Sequence, residues 1–205
     1  MIQAIFFDMG NVICSDGYKP GIRQYEREFD IPEGEFYKIV HDFQGWKDFT
    51  LGRVSQAQYL VMCQERCKNY HFVGERYIDL VNDLTKPNKA LIDYIKQNLS
   101  KRYIIGIISN NPKEWYEDFI RKASLKRIVK IQALSCYEHI RKPDQQIFQI
   151  ALDKAGVKAE ESIYVDDRAD RIDGAQKLGM HIIIFDGDID KLKKEIKKLV
   201  NLITK

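Results

Sequence analysis

Asp8 follows a short apolar run, residues 2–7, interrupted only by Gln3, and is followed by Met9-Gly10-Asn11-Val12. A carboxylate there stands where buried chain gives way to a turn. Asp166 and Asp167 are adjacent and close a second apolar run, residues 162–165. Neighbouring carboxylates repel, so they persist together only when solvated, protonated or bound to a cation. Together with Asp8 they form an oxygen-rich set suited to Mg²⁺, which takes carboxylates, a few waters and a phosphate. Ser109 and Asn110 end a third run, residues 103–108. A hydroxyl and backbone N–H groups at such a place hold phosphate oxygens when a helix begins just beyond. Lys142, in Arg141-Lys142-Pro143-Asp144, precedes a helical pattern. Its ammonium can neutralise phosphate charge and steady a carboxylate nucleophile.

These residues need elements that bring them together. Two further apolar runs, 128–134 and 181–185, join the three above. Short continuous apolar runs closed by Gly, Asn or Asp read as buried parallel strands. Helical patterns at 88–99, 144–155, 173–178 and 190–203 separate them, the third stopping at Gly179. Strands alternating with helices predict an α/β fold, a Rossmann-like parallel sheet covered on both faces. Ligands of such sheets bind at the carboxyl ends of the strands, where the polar clusters fall. Residues 20–85 break the alternation with helical patterns at 22–29, 33–43, 56–70 and 76–84, and they are rich in Tyr, Phe and Trp. They read as a small helical bundle inserted into the sheet domain. The predicted division is a core of residues 1–17 and 86–205 and a helical insertion of residues 18–85.

Composition narrows the class. With 205 residues, 44% hydrophobic and 31% charged, the chain can bury a core and is neither disordered nor collagen-like. A net charge of +3 from 33 basic and 30 acidic residues gives no footprint for nucleic acid. The lysine-rich pattern at 190–203 reads as an amphipathic helix with a solvated face. No apolar stretch reaches the ~18 residues of a membrane span, and the start of the sequence lacks a basic, apolar secretion signal. The expectation is a cytoplasmic protein whose four cysteines, Cys14, Cys63, Cys67 and Cys136, are reduced thiols. Cys63 and Cys67 can share a helix face, but only His71 lies near as a third zinc ligand.

The motifs and their order resemble the haloacid dehalogenase (HAD) superfamily of Asp-nucleophile phosphatases. Asp8 in FFDMGNVI, Ser109 in GIISNN, Lys142 in RKPD, and Asp166-Asp167 in IYVDDRADRIDGAQKLGM match its four motifs. The helical insertion resembles the cap that follows the first motif in this superfamily, and LGRVS at 51–55 resembles a turn common in such caps. The resemblance implies a Mg²⁺-dependent phosphatase acting on a small phosphorylated metabolite through an aspartyl-phosphate. Asp8 would be the nucleophile, assisted by Lys142. Mg²⁺ would be held by Asp8, the backbone carbonyl of Gly10, and Asp167, with Asp166 alongside. Ser109, Asn110, Asn11 and Lys142 would surround the phosphate.

The sequence departs from the superfamily pattern at Gly10, where the common motif has a second Asp that protonates the leaving group. Loss of general acid–base catalysis costs roughly 10²–10⁴-fold. The form Asp-Xaa-Gly-Asn-Val resembles a subgroup of sugar-phosphate phosphatases, so a hexose 1-phosphate, whose leaving oxygen needs little acid help, is the expected type of substrate. Asp16 or a cap residue is the alternative proton source. Other readings are a non-catalytic protein binding phospho-ligands or a partner, and a haloacid dehalogenase, which the acidic pair disfavours. Within the insertion Trp46, Lys47 and Arg53 are the candidate substrate readers.

Overall fold

The computed structural model describes residues 1–202. Five strands, β1 (Ala4–Phe7), β2 (Ile104–Ser109), β3 (Ile131–Leu134), β4 (Ser162–Asp166) and β5 (His181–Ile184), form one sheet. Its order is β3-β2-β1-β4-β5 and every pairing is parallel. The α/β fold expected from the alternating pattern is therefore present.

Each strand is apolar on both faces, as a doubly covered parallel sheet requires. Ile5, Phe7, Ile105, Ile107, Ile163 and Val165 belong to the core on one face. Ala4, Phe6, Ile108, Ala133 and Tyr164 belong to the core on the other. The register pairs Phe7 with both Ile107 and Val165. Asp8, Ser109 and Asp166 consequently emerge at the same edge, with β1 at the centre.

The covering helices are α6 (Lys89–Tyr94), α7 (Lys113–Lys122), α8 (Ser135–Glu138), α9 (Gln145–Ala155), α10 (Asp173–Leu178) and α11 (Ile189–Leu202). Their starts and stops are local chemistry. The Asn88 side chain accepts from the Leu91 N–H, and Asp144 caps α9 by accepting from the Gln146 N–H at 2.9 Å. Gly156 and Gly179 end α9 and α10 in the left-handed region. Past Tyr94 the α6 pattern continues as a wider π-type turn to Leu99. Ile203, included in the pattern of the last helix, lies outside the described residues.

Residues 18–84 contain five helices rather than four: α1 (Tyr18–Glu28), α2 (Glu35–Val40), α3 (Gln44–Thr50), α4 (Gln56–Arg66) and α5 (Gly74–Leu84). The pattern at 33–43 ends early because Phe43 takes an extended conformation that starts α3. A reciprocal Ser55–Gln58 capping box starts α4, which stops at Arg66. These helices bury an aromatic core of their own. Tyr25, Phe36, Phe49, Tyr59 and Tyr77 are all at most 1% exposed. The stacked pairs Tyr25–Phe36 and Phe49–Tyr59 have ring centroids 4.1 and 4.5 Å apart.

Helix α7 has no counterpart among the sequence-predicted elements, although it ties the two parts together. Its Tyr116, Phe119 and Ile120 enter the sheet core, while Trp115 enters the aromatic core of α1–α5. The Trp115 indole N–H donates to the Gln56 side chain at 2.9 Å, and the Gln56 backbone N–H donates to Glu114 at 3.0 Å. A second seam joins the turn after α3 to α8. There the Ser135 hydroxyl donates to the Thr50 carbonyl at 2.5 Å, and His139 Nδ1 meets the Leu51 carbonyl at 2.7 Å. All four cysteines are free and buried. No helix among the described residues is long and apolar enough to cross a membrane.

Candidate functional site

The strand ends open into a cavity of about 500 Å³, walled by residues of α1, α3, α5 and α7 and by His41, and floored by the sheet edge. Asp8 sits at its base. The Asp8 backbone N–H donates to the Val165 carbonyl at 2.8 Å, which continues the β1–β4 ladder by one bond and fixes where the carboxylate points. Oδ1 of that carboxylate accepts from the Ser109 hydroxyl at 2.7 Å and lies 2.8 Å from the Lys142 ammonium. Among the described residues no donor engages Oδ2. One oxygen is thus held and the other is left for chemistry.

Lys142 is 2% exposed, so its charge must be matched inside the protein. Besides Asp8 it pairs with Asp166 Oδ2 at 2.7 Å and donates to the Tyr164 hydroxyl at 2.7 Å. Tyr164 in turn hydrogen-bonds the same Asp166 oxygen, and the Arg168 backbone N–H donates to Asp166 Oδ1 at 2.9 Å. Burial, with the charges of Asp8 and Asp166, pushes the Tyr164 phenol well above its ordinary range, so it serves as a neutral donor. Sequence reasoning passed over Tyr164 as a strand residue. The signal was its spacing: residues two apart on a strand share a face, and Tyr164 is two before Asp166.

Asp167 is half-buried and accepts one side-chain bond, from the Asn11 amide at 3.0 Å. Its carboxyl is raised, by burial first and then by the charges of Asp8 and Asp166, while the Asn11 bond works the other way. Carboxylate oxygens of Asp8, Asp166 and Asp167 all lie within 4.8 Å of one another. An all-oxygen set whose members repel is a donor set that fits Mg²⁺. Asp166 is already satisfied by Lys142, Tyr164 and Arg168, so Asp167 is the freer of the pair.

The other sequence-predicted residues are placed unequally. Asn11 has φ of 55°, and its side chain is committed to Asp167 and to the Asp16 backbone N–H, which donates to it at 3.0 Å. The Asn110 side chain is spent on the backbone of Lys142, to which it both donates and accepts. Gly10 lines the cavity and a Cβ there would meet nothing within 4 Å. Trp46 lines the cavity and stacks on Tyr18, with ring centroids 4.4 Å apart. Lys47 and Arg53 are not among the lining residues. Lys47 follows Trp46 on a helix and so points about 100° away from it. Arg53 is exposed and lies 3.3 Å from Asp48. Tyr18 and Lys19, in the stretch 16–19 expected to face the cleft, also line it, and so do His41 and Arg171, which the sequence does not single out. Nothing local marks the last two, because they converge only through the packing of α1, α2 and the turn after β4.

A parallel α/β sheet whose central strand ends in a lysine-held carboxylate beside an acidic pair defines a class of hydrolases. The profile of haloacid dehalogenase-like hydrolases matches residues 2–179, and the chain belongs to that family. Among characterised relatives, glyceraldehyde 3-phosphate phosphatase from Pyrococcus furiosus is 34% identical, covering 98% of this chain and 88% of its own length. Acyl-CoA dehydrogenase family member 10 from Mus musculus is 25% identical over 98% of this chain, which spans only 19% of that protein. A HAD family enzyme from Bacteroides thetaiotaomicron, solved with magnesium and inorganic phosphate, shares the fold with a TM-score of 0.77 at 17% identity, covering 94% of this chain and 99% of its own.

Proposed function

We propose that the protein is a Mg²⁺-dependent phosphatase of a small phosphorylated metabolite, with residues 18–85 acting as a cap over the site. The observation that carries this reading is the asymmetry of Asp8: Ser109 and Lys142 hold Oδ1, and Oδ2 is left unengaged at the base of the cavity. A phosphatase among the relatives and a magnesium–phosphate complex among the structural neighbours support it.

In this reading Asp8 Oδ2 attacks the phosphorus in line. The phosphorus–ester oxygen bond breaks, and an aspartyl-phosphate forms on Asp8. Lys142 neutralises charge on the equatorial oxygens, and the Ser109 hydroxyl turns from Asp8 toward one of them. Such positioning and charge stabilisation is most of the catalysis of phosphoryl transfer. Water then attacks the acyl phosphate, returning the Asp8 carboxylate and releasing phosphate. Asp8, Asp167 and the Gly10 carbonyl would hold Mg²⁺, which would polarise the phosphoryl oxygens. With no acid at Gly10, leaving groups of low basicity are favoured, and a hexose 1-phosphate fits both that demand and a cavity of about 500 Å³.

The test is phosphate release from a panel of esters and acyl phosphates, with Mg²⁺ and after chelation, for the wild type and Asp8→Asn. Metal-dependent release that the variant loses is the expected result. Full release by Asp8→Asn would remove the nucleophile, and no release from any ester would leave a non-catalytic phospho-ligand binder as the reading.

A further inference from the structure

Arg141 lines the cavity with a half-buried guanidinium, yet no carboxylate, carbonyl or hydroxyl among the described residues pairs with it. A planar five-donor cation taken partly out of water without an anion is costly, and its fork geometry matches carboxylate and phosphate oxygens. It is not alone. Arg171 lines the same wall, and its guanidinium donates to the Lys142 carbonyl at 3.2 Å, one residue along from Arg141. Lys19, from the first turn of α1, lines the opposite side and likewise has no anionic partner among the described residues.

Three cations from three separate elements therefore face one space. Each of them, acting through its charge, holds the His41 imidazole below its usual range, after the larger effect of burial; only Asp42 pulls the other way. Burial first, and then the charge of Arg171, also lower Arg141. Nearby acidic groups do not cancel this cluster. Asp118 is bound to Lys122 at 2.6 Å, Asp170 lies 3.7 Å from Arg171 but is held by Arg168 at 2.7 Å, and Asp16 forms no ion pair with Lys19 among the described residues. Asp8 and Asp167 belong to the reaction centre. Lys142 is already saturated by Asp8 and Asp166, so the scissile phosphate alone does not account for these further charges.

We propose that Arg141, with Arg171 and Lys19, forms a second anion subsite that reads a carboxylate or phosphate on the leaving-group part of the substrate. The proposal rests on the phosphatase reading and narrows its substrate class. Preferred substrates carry two anionic groups: the phosphate that is cut and another that is kept. The kept anion lies toward α1 and α2, in front of the stacked Tyr18 and Trp46, and the cap selects for it. The kept group undergoes no chemistry; its binding orients the ester over Asp8.

The experiment uses pairs of esters that differ only in the second charge. Glucose 1-phosphate is compared with glucuronic acid 1-phosphate and with glucose 1,6-bisphosphate, and glycerol 3-phosphate with 3-phosphoglycerate. The expected result is a kcat/KM at least about tenfold higher for the member of a pair that carries the second anionic group, carried mainly by KM, as charge-assisted hydrogen bonds imply. The two glucose derivatives separate a carboxylate from a phosphate as the anion read. Arg141→Gln should shrink that ratio, and Arg141→Lys should restore part of it. Equal kcat/KM within every pair, or a loss in Arg141→Gln that falls equally on both members, would overturn the subsite while leaving the phosphatase reading intact. Should no ester turn over, affinity for 3-phosphonopropionate against propylphosphonate, by calorimetry, decides the subsite separately. Tighter binding of the carboxylate that Arg141→Gln abolishes supports it, and equal binding removes it.

Discussion

Asn110 and Lys142 grip each other twice across the gap between β2 and α9. The Lys142 backbone N–H donates to the Asn110 side-chain oxygen at 2.9 Å, and the Asn110 amide donates to the Lys142 carbonyl at 3.1 Å. This sets the backbone from which the Lys142 ammonium reaches Asp8. It also fits the amide that follows Ser109, which offers a donor and an acceptor side by side on one planar group.

Asn110→Ala should therefore act on Lys142 rather than on ligand affinity alone. The Lys142 N–H loses its partner and the Lys142 carbonyl keeps only Arg171, a cost of about 1–3 kcal/mol. A lysine displaced by about 1 Å can cost up to ~10²-fold in turnover. The expected outcome is a lower midpoint in urea together with a fall in kcat larger than the rise in KM. A kcat at the wild-type value in the folded variant would show that the clamp does not position Lys142.

How far the sequence carried can be judged from particular residues. The sheet was legible because both faces of each strand are apolar, and four of the five runs end in polar clusters. The edge where Asp8, Ser109 and Asp166 gather follows from parallel register alone. The partners of Lys142 were partly hidden, because Tyr164 is a β-former in a strand and its hydroxyl matters only where Asp166 and Lys142 meet it. Helix α7 lay outside the expected elements although Trp115, Tyr116, Phe119 and Ile120 stand at helical spacing, because the polar cluster at 109–112 masks its start. Lys47 and Arg53 were singled out by charge, but charge does not say which side of a helix or turn faces inward. Arg141 stood beside Lys142 in full view, and only its burial without a partner marks it.

The turn after α3 yields a second prediction. Gly52 has φ of +66°, and a Cβ there would lie 2.1 Å from the Cys136 carbonyl oxygen. Gly34 also has a positive φ, of +84°, but a Cβ there would meet nothing within 4 Å. Gly34→Ala should cost only the backbone strain of ~1–2 kcal/mol. Gly52→Ala adds a clash with backbone that is held by the Ser135–Thr50 and His139–Leu51 bonds, which raises the cost by about 1–3 kcal/mol. Calorimetric melting of the pair reads the difference directly. Equal melting points would mean that this seam is loose enough to yield.

The last prediction concerns the acid missing at Gly10. Open space around its Cβ position and a φ outside the left-handed region mean that Gly10→Asp is accepted without strain. The position lines the cavity two residues after Asp8, so in the proposed reaction an Asp there would stand on the side of the leaving group. Without an acid, negative charge accumulates on that oxygen in the transition state, so the wild-type rate should fall steeply as leaving-group pKa rises. An Asp placed there supplies a proton and should flatten the dependence, speeding alkyl esters by roughly 10²-fold while changing acyl and aryl phosphates little. A series of phosphate esters graded in leaving-group pKa, run on both proteins, gives the two slopes. Parallel slopes would show that another group, such as Asp16 in the same cavity, already delivers the proton, and Asp16→Asn would then become the variant that steepens the dependence.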